Sequence, residues 1–308
     1  FDKIFLSHLH SDHFGDLGAL YVAGNLMGRS TPLKIWGPSG DSPEFGAKVA
    51  VEHVIASYAW DKRSRQGRIP VMGMETEVVE FDHTKAQTVY DKDGVLVRAW
   101  PAIHAIDGPV SFSLEWNGLK FVFSGDTSPN KWFLDNARNA DILVYDCFTS
   151  VESLIYDRRY TPTAAWVVGT QVHTAPQSAG KLFTLLEPRM AVCYHFINNS
   201  RTLPKQLESV RMTYAGPLTM AEDLYVWNVT SEAINLRKVI GVDYAFGAAT
   251  AKKPADRSLR VEKSDWLWAG RLPMPDIDTI ILEQLDTDKR QKIRQTIPRE
   301  LLPAVKLK

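Results

Sequence analysis

Cysteine is nearly missing from this chain: Cys147 and Cys193 are the only two in 308 residues. Neither belongs to a C-x-x-C pair, so a disulfide framework and a thiolate metal cluster are both excluded, and the two read as core thiols. An excess of charge is absent as well. Thirty-six basic residues balance thirty-six acidic ones, and no global positive field exists to gather nucleic acid or an anionic bilayer. The densest basic cluster, Lys62, Arg63, Arg65 and Arg68 in "DKRSRQGR", reads as the solvated end of a helix. From charge alone, a nucleic acid partner is unlikely and a small-molecule substrate is expected. No stretch reaches the roughly 18 apolar residues of a membrane helix, and no membrane partner is expected. There is no internal repeat and no low-complexity tract.

What is present is a 44% hydrophobic chain with ample material for a core. Strand and helix signals alternate. "KIFLS", "LKIWGPSG" and "ETEVVEF" read as strands, with a helix over 15–28 and a long helical pattern over 42–66. Two hairpins are predicted at Asp93-Gly94 and Asn117-Gly118, both favoured tight-turn dipeptides. Residues 128–140 read as a helix capped by Ser128 with Pro129 at its first position. "DILVYDCF", "MAVCYHF" and "DLYVWNVT" read as further strands, with helices near 175–187 and 203–213. The class is mixed α/β. From residue 245 the chain becomes proline-dotted and charge-rich, with Trp266 and Trp268 between polar neighbours. The expected organisation is a catalytic domain over 1–244 and an extension over 245–308 that packs on the domain or on a partner subunit, which leaves a homo-oligomer open.

The chemistry concentrates in "FLSHLHSDHFGDL". Residues two apart on an extended segment face one side, so His8 and His10 aim at one point, with Asp12 and His13 just beyond at the turn into a helix. Neutral imidazoles with a carboxylate are zinc ligands. Crowding them without a metal would gather groups that each charge near neutral pH. His104, Asp126 and His195 each close an apolar strand, where a rigid scaffold presents reactive groups. His53 and His83 lie off this pattern and read as surface or packing residues.

"HLHSDH", "PAIHA", "FSGDTSPN", "LVYDCF", "VHTAPQSAG" and "CYHF", in that order, resemble the metallo-β-lactamase superfamily of binuclear hydrolases over residues 1 to about 240. The resemblance implies an αββα sandwich with two metals at one edge. It implies that His8, His10 and His104 hold one metal, that Asp12, His13 and His195 hold the other, and that Asp126 bridges them. It also implies several strands before "KIFLS", so a segment preceding Phe1 is expected. The branch is similar to tRNA 3′-end-processing endonucleases, arylsulfatases and cyclic-nucleotide phosphodiesterases. In it, a histidine at the position of His173 lies near the metals as a proton donor.

The implied activity is metal-dependent hydrolysis of a small ester, a phosphodiester, sulfate ester or lactone, by a hydroxide shared between two divalent ions. Zinc is the expected metal, with manganese and iron as alternatives. Asp12 would orient the nucleophile and His173 would protonate the leaving oxygen. Asp146 would support a ligand histidine from behind. Trp132, Phe133, Tyr194 and Asn198 are candidate pocket walls. Two other activities fit the resemblance. One is a tRNA 3′-processing endoribonuclease, against which stand the charge balance and the helical pattern where a Gly- and Pro-rich arm would be sought. The other is a di-iron redox or oxygen-binding protein, against which stands His10, a position that is glutamate in iron-binding relatives.

Overall fold

The computed structural model describes residues 1–241, 256–270, 272 and 274–296. Its described residues divide into two compact units at Arg260/Val261, and the boundary expected at 245 lies outside the described residues.

The first unit begins with β1 (Lys3–Phe5), followed by α1 (Ser11–Phe14), α2 (Leu17–Leu26) and β2 (Leu33–Pro38). Next come α3 (Ala47–Ser57), α4 (Ala59–Arg65) and β3 (Thr76–Phe81). The three strands form an all-parallel sheet in the order β1-β2-β3. Its central strand is apolar almost throughout and buried on both faces, as parallel strands require. The long helical pattern over 42–66 is broken in two places. Gly46 is extended (φ −84°, ψ 158°) and Tyr58 leaves the helix at ψ 12°. The cause at the first break is Glu80 of β3, whose Oε2 accepts from Lys48 N–H at 2.8 Å and caps α3 where the helix would otherwise continue backward.

A four-strand antiparallel meander follows: β4 (Gln87–Lys92), β5 (Val95–Pro101), β6 (Val110–Trp116) and β7 (Leu119–Phe123). Both predicted hairpins form with the left-handed residues that a type I′ turn needs: Asp93 and Gly94 at φ 55° and 76°, Asn117 and Gly118 at 52° and 77°. The sheet then turns parallel through β8 (Ile142–Asp146), β9 (Met190–Tyr194) and β10 (Leu218–Met220), in the final order β10-β9-β8-β7-β6-β5-β4. Helix α5 (Lys131–Asn136) connects β7 to β8. Helices α6 (Val151–Tyr156), α7 (Pro162–Val167) and α8 (Pro176–Leu186) connect β8 to β9, and α9 (Thr202–Arg211) precedes β10. "DLYVWNVT" is a strand, β11 (Tyr225–Val229), but among the described residues it pairs only with β12 (Ile234–Lys238), as a separate hairpin.

Three apolar cores give the αββα layering. Phe5, Trp36, Phe81, Val97, Ala99, Val110 and Phe112 fill the space between the two sheets. Leu6, Leu17, Tyr21, Leu33, Ile35 and Val51 seat α2 and α3 on the small sheet. Trp100, Phe133, Leu143, Tyr145, Phe183 and Val210 seat α5, α8 and α9 on the large one. Cys147 and Cys193 are free and buried in that last core, as read. Phe133 belongs to it too, fully buried between Trp100 and Tyr145, which removes it from any pocket wall. In the second unit the described helices are α10 (Asp265–Ala269), α11 (Pro275–Glu283) and α12 (Thr287–Thr296). Trp266 is exposed, while Lys263 Nζ lies 4.9 Å from the Trp268 ring centre.

The cap of α5 also differs from expectation. Asn130, not Ser128, is the N-cap, accepting from Phe133 N–H at 2.8 Å. Its amide also donates to Thr127 Oγ1 at 3.0 Å. Asn130→Ala is expected to cost about 1–2 kcal/mol in urea unfolding and Ser128→Ala well under half of that. Equal costs would return the cap to Ser128.

Candidate metal centre

Every strand that carries a candidate ligand delivers it at its C-terminal end. Past β1 the chain is pinned to both sheets, with Leu6 N–H on Trp36 O at 2.8 Å and Val110 N–H on Ser7 O at 2.9 Å. His8 and His10 sit in this pinned loop rather than on the strand, and their rings are 4.9 Å apart. The single turn of α1 then swings Asp12 and His13 to the other side, with His13 N–H on His10 O at 3.0 Å. Asp126 follows Gly125, whose φ is +60° and whose missing Cβ would lie 2.8 Å from Ser7 Cβ and 3.0 Å from Val110 O. Only glycine lets Asp126 approach the histidine loop this closely.

His104 follows β5 and is tied to the Asp126 loop, since Ser128 N–H donates to Ile103 O at 2.7 Å and Ile103 N–H to Thr127 Oγ1 at 3.1 Å. His195, one residue past β9, takes a left-handed backbone (φ 62°) that a bulky residue holds only at a cost.

The donor atoms converge as two groups: His8, His10, His104 and Asp126, and Asp12, His13, Asp126 and His195, each within 4.8 Å of one another. One atom, Asp126 Oδ2, serves both. It is 3.6 Å from His8 Nε2 and 3.8 Å from His104 Nε2, and 3.1 Å and 3.3 Å from Nε2 of His13 and His195. His10 Nδ1 is 3.0 Å from His104 Nε2, and Asp12 Oδ2 is 3.2 Å from His195 Nε2. Tetrahedral bonds of about 2.1 Å place ligand atoms roughly 3.4 Å apart, so these spacings fit one divalent ion per group. His8 Nε2 gives a second test: it is buried and has no hydrogen-bond partner among the described residues, the condition of a lone pair reserved for a cation.

The rings are oriented from behind. His104 Nδ1 donates to Val172 O at 2.9 Å, His8 Nδ1 meets Ser7 Oγ at 3.1 Å, and Tyr194 donates its hydroxyl to Asp126 Oδ1 at 3.0 Å. Burial and the neighbouring His13 push His8 down to about 3, and burial pulls His104 down to about 4, so both stay unprotonated and ready to ligate at neutral pH. Burial would raise the Asp126 pKa, but the His13 hydrogen bond and the surrounding imidazoles hold it far below the usual carboxylate range.

His173 joins the cluster through a π-helical turn over 168–172. Its Nδ1 is 2.9 Å from Asp146 Oδ2, which also accepts from Thr127 N–H at 3.0 Å. Asp146 therefore bonds His173, which lies outside the two donor groups, and Asp146, His173 and His195 form a third set of donor atoms within 4.8 Å of one another. Phe148 stacks on His173 at 4.0 Å and 8°, closing one ring face to water. Burial, with the nearby Asp126 charge, pushes Asp146 well up, and burial pushes His173 down, so both lean toward their neutral forms.

Tyr194 lies in the site, while Trp132 and Asn198 are exposed and make no hydrogen bond to a candidate ligand among the described residues. His83 bonds Ser39 Oγ at 3.0 Å and His53 lies on α3, both apart from the donor groups. Two contributors escape a sequence reading. The Val172 carbonyl is backbone and carries no signal, and Phe148 had one only in following Asp146.

Residues 1–196 match the β-lactamase superfamily domain. The chain belongs to that superfamily. The match confirms the resemblance drawn from the histidine strings and the αββα class. Among curated relatives, the ribonuclease Z of Mycobacterium marinum is 28% identical over 146 residues, covering 46% of this chain and 50% of that protein. That of Mycolicibacterium paratuberculosis is 31% identical over 147 residues, with the same coverage. The chain thus spans about half the length of the curated relatives it matches. In fold it is similar to human tRNase Z, short form, at TM-score 0.50 and 19% identity, covering 72% of this chain and 76% of that one. The metallo-β-lactamase fold protein YhfI of Bacillus subtilis gives TM-score 0.50 at 17% identity, covering 72% and 75%.

These relatives support the class of metal-dependent hydrolase, and they correct one expectation. A small-molecule ester substrate with nucleic acid unlikely does not survive similarity to proteins named for cleaving RNA and tRNA. The error came from net charge, which is a sum and says nothing about where the cations stand.

If the two groups each hold an ion, plasma emission spectroscopy of the purified chain gives two metals per polypeptide. Asp126→Ala is then expected to lose both and His10→Ala to lose one. An Asp126→Ala protein that keeps two ions would break the shared-ligand geometry.

Proposed function

We propose that this chain is a binuclear, zinc-dependent endoribonuclease of the tRNA 3′-end-processing type. One observation carries the proposal: two imidazole groups meet at the single oxygen Asp126 Oδ2, with the Asp146–His173 pair beside them. Similarity to ribonucleases Z supports RNA as the substrate, and His10, rather than a glutamate, supports zinc.

Divalent ions in the two groups would supply Lewis acidity and an activated water for attack on phosphorus. The protein's own share is positioning and proton handling. Asp12, with its carboxylate largely open to solvent and 3.2 Å from His195 Nε2, stands at the mouth to orient the attacking water. His173 is anchored at Nδ1 by Asp146, which leaves Nε2 as the nitrogen that passes a proton to the leaving oxygen. Asp146 fixes that tautomer, and Phe148 keeps the ring from turning.

A cavity with two cations to one carboxylate favours a polyanion. Arg158 and Arg201 line a cavity of about 140 Å³ together with Asp157 and the polar side chains of Ser153, Asn199 and Thr202, and Ile197 of its wall is two residues beyond His195. Neither guanidinium is held in an ion pair among the described residues, so both are available to phosphate.

The test is cleavage of a tRNA precursor with a 3′ extension by the zinc-loaded full chain. His173→Ala is expected to keep two metals and lower kcat by about 10²–10⁴-fold; unchanged kcat would remove its role. Arg158→Ala and Arg201→Ala should each weaken RNA binding and reduce the salt slope by about one. Cleavage that ignores RNA altogether would end the proposal.

A further inference from the structure

On the His10–His104 side the metal centre opens into a second cavity of different chemistry. It measures about 250 Å³, and its walls are Leu9, Pro38, Phe45, Ile106 and Pro109. Its floor is His8, His10 and His104 themselves, so whatever fills it lies against the candidate metal centre. Three loops build it, each leaving the C-terminal end of a strand: 7–10 after β1, 38–45 after β2 and 104–109 after β5. They are fixed to one another and to the sheets. Ser39 N–H donates to Phe81 O at 2.8 Å, Ala102 N–H to Pro109 O at 3.0 Å and Val110 N–H to Ser7 O at 2.9 Å. Gly108 takes a backbone (φ 132°) that a side chain rarely adopts, and a Cβ added there would lie 3.6 Å from Ser39 O, so the last two loops run side by side.

Phe45 and Ile106 are 56% and 65% exposed, apolar side chains held open on a rigid rim where the fold gains nothing from them. Glu44 and Asp107 stand beside them on the same rim and form no ion pair among the described residues. That combination rejects a phosphate, because two free carboxylates repel it. It suits a flat aromatic ring that has apolar faces and hydrogen-bond donors on its edge. The cavity is smaller than the roughly 300–1,000 Å³ typical of drug-sized ligands, which matches a single ring system.

Resting on the RNA-cleaving reading above, we infer that this cavity takes the nucleobase next to the scissile phosphate. Phe45 and Ile106 contact its faces, and Glu44 and Asp107 accept from its edge, which selects bases bearing an exocyclic amino group. Adenine, cytosine and guanine present such donors, whereas uracil offers only a ring N–H. The Arg158–Arg201 cavity, on the His195 side, is the contrasting surface for backbone. Base and phosphate are thus received by two sites of opposite charge.

The experiment uses the full chain and four fluorescein-labelled RNAs that differ only in the base adjoining the cleavage site. Binding is followed by anisotropy with the metal-free protein and cleavage with the zinc-loaded protein. The wild type is expected to favour the three amino-bearing bases over uracil by about tenfold in kcat/KM. Phe45→Ala and Ile106→Ala, both at exposed positions that leave the cores intact, should lower RNA binding by roughly 5–150-fold, the worth of one stacked base. Glu44→Gln with Asp107→Asn should flatten the preference without that loss. If the wild type cleaves RNA but shows no base preference and Phe45→Ala binds as well as wild type, the inference is overturned and the RNA reading stands. If the wild type cleaves no RNA, both fall.

Discussion

The Asp126 carboxylate is the constraint on which the rest of the site depends. It is buried, at 2% exposure, at the end of a strand in the middle of the larger sheet. A lone carboxylate there would be costly, and five imidazole nitrogens crowded together would be costly too. Each offsets the other, and metal ligation would satisfy both, because one oxygen lies within 4 Å of four imidazole nitrogens from opposite sides. Tyr194 takes the second oxygen, which fixes the carboxylate plane and leaves the first for sharing. Gly125 makes the arrangement possible by letting the strand end approach Ser7 more closely than any side chain would allow.

The scaffold explains why such distant residues meet. Parallel strands β7, β8 and β9 are adjacent and end at the same edge, so Asp126, Asp146 and His195 come together although nearly seventy positions separate the first from the last. The small sheet brings His8 and its neighbours to that edge from the other layer, and the apolar fill between the sheets sets the spacing. A shift of either sheet would misplace whole groups of ligands, not single side chains. Packing in the inter-sheet core is therefore part of the chemistry of the site.

Much of this was legible in the sequence because the informative features are local. The H-x-H-x-D-H string, the two glycine hairpins and the strand-terminal His104, Asp126 and His195 each carry their signal within a few residues. What could not be read depends on partners far along the chain. The break at Gly46 is imposed by Glu80 from another strand, and the cap of α5 is decided by which side chain reaches Phe133 N–H. Val172 contributes only a carbonyl, and the partner of Asp146 is a histidine 27 residues away. The substrate was misread for a related reason. Arg158 and Arg201 are 43 positions apart and line one cavity only once the residues after α6 and the start of α9 are folded together.

The central claim is that two cations sit on either side of Asp126. Anomalous scattering recorded at the zinc edge, from crystals of the zinc-loaded chain, tests it directly. The account predicts two peaks per molecule about 3.5–4 Å apart, with Asp126 Oδ2 between them. A single peak, or two peaks of which neither touches Asp126, would contradict it.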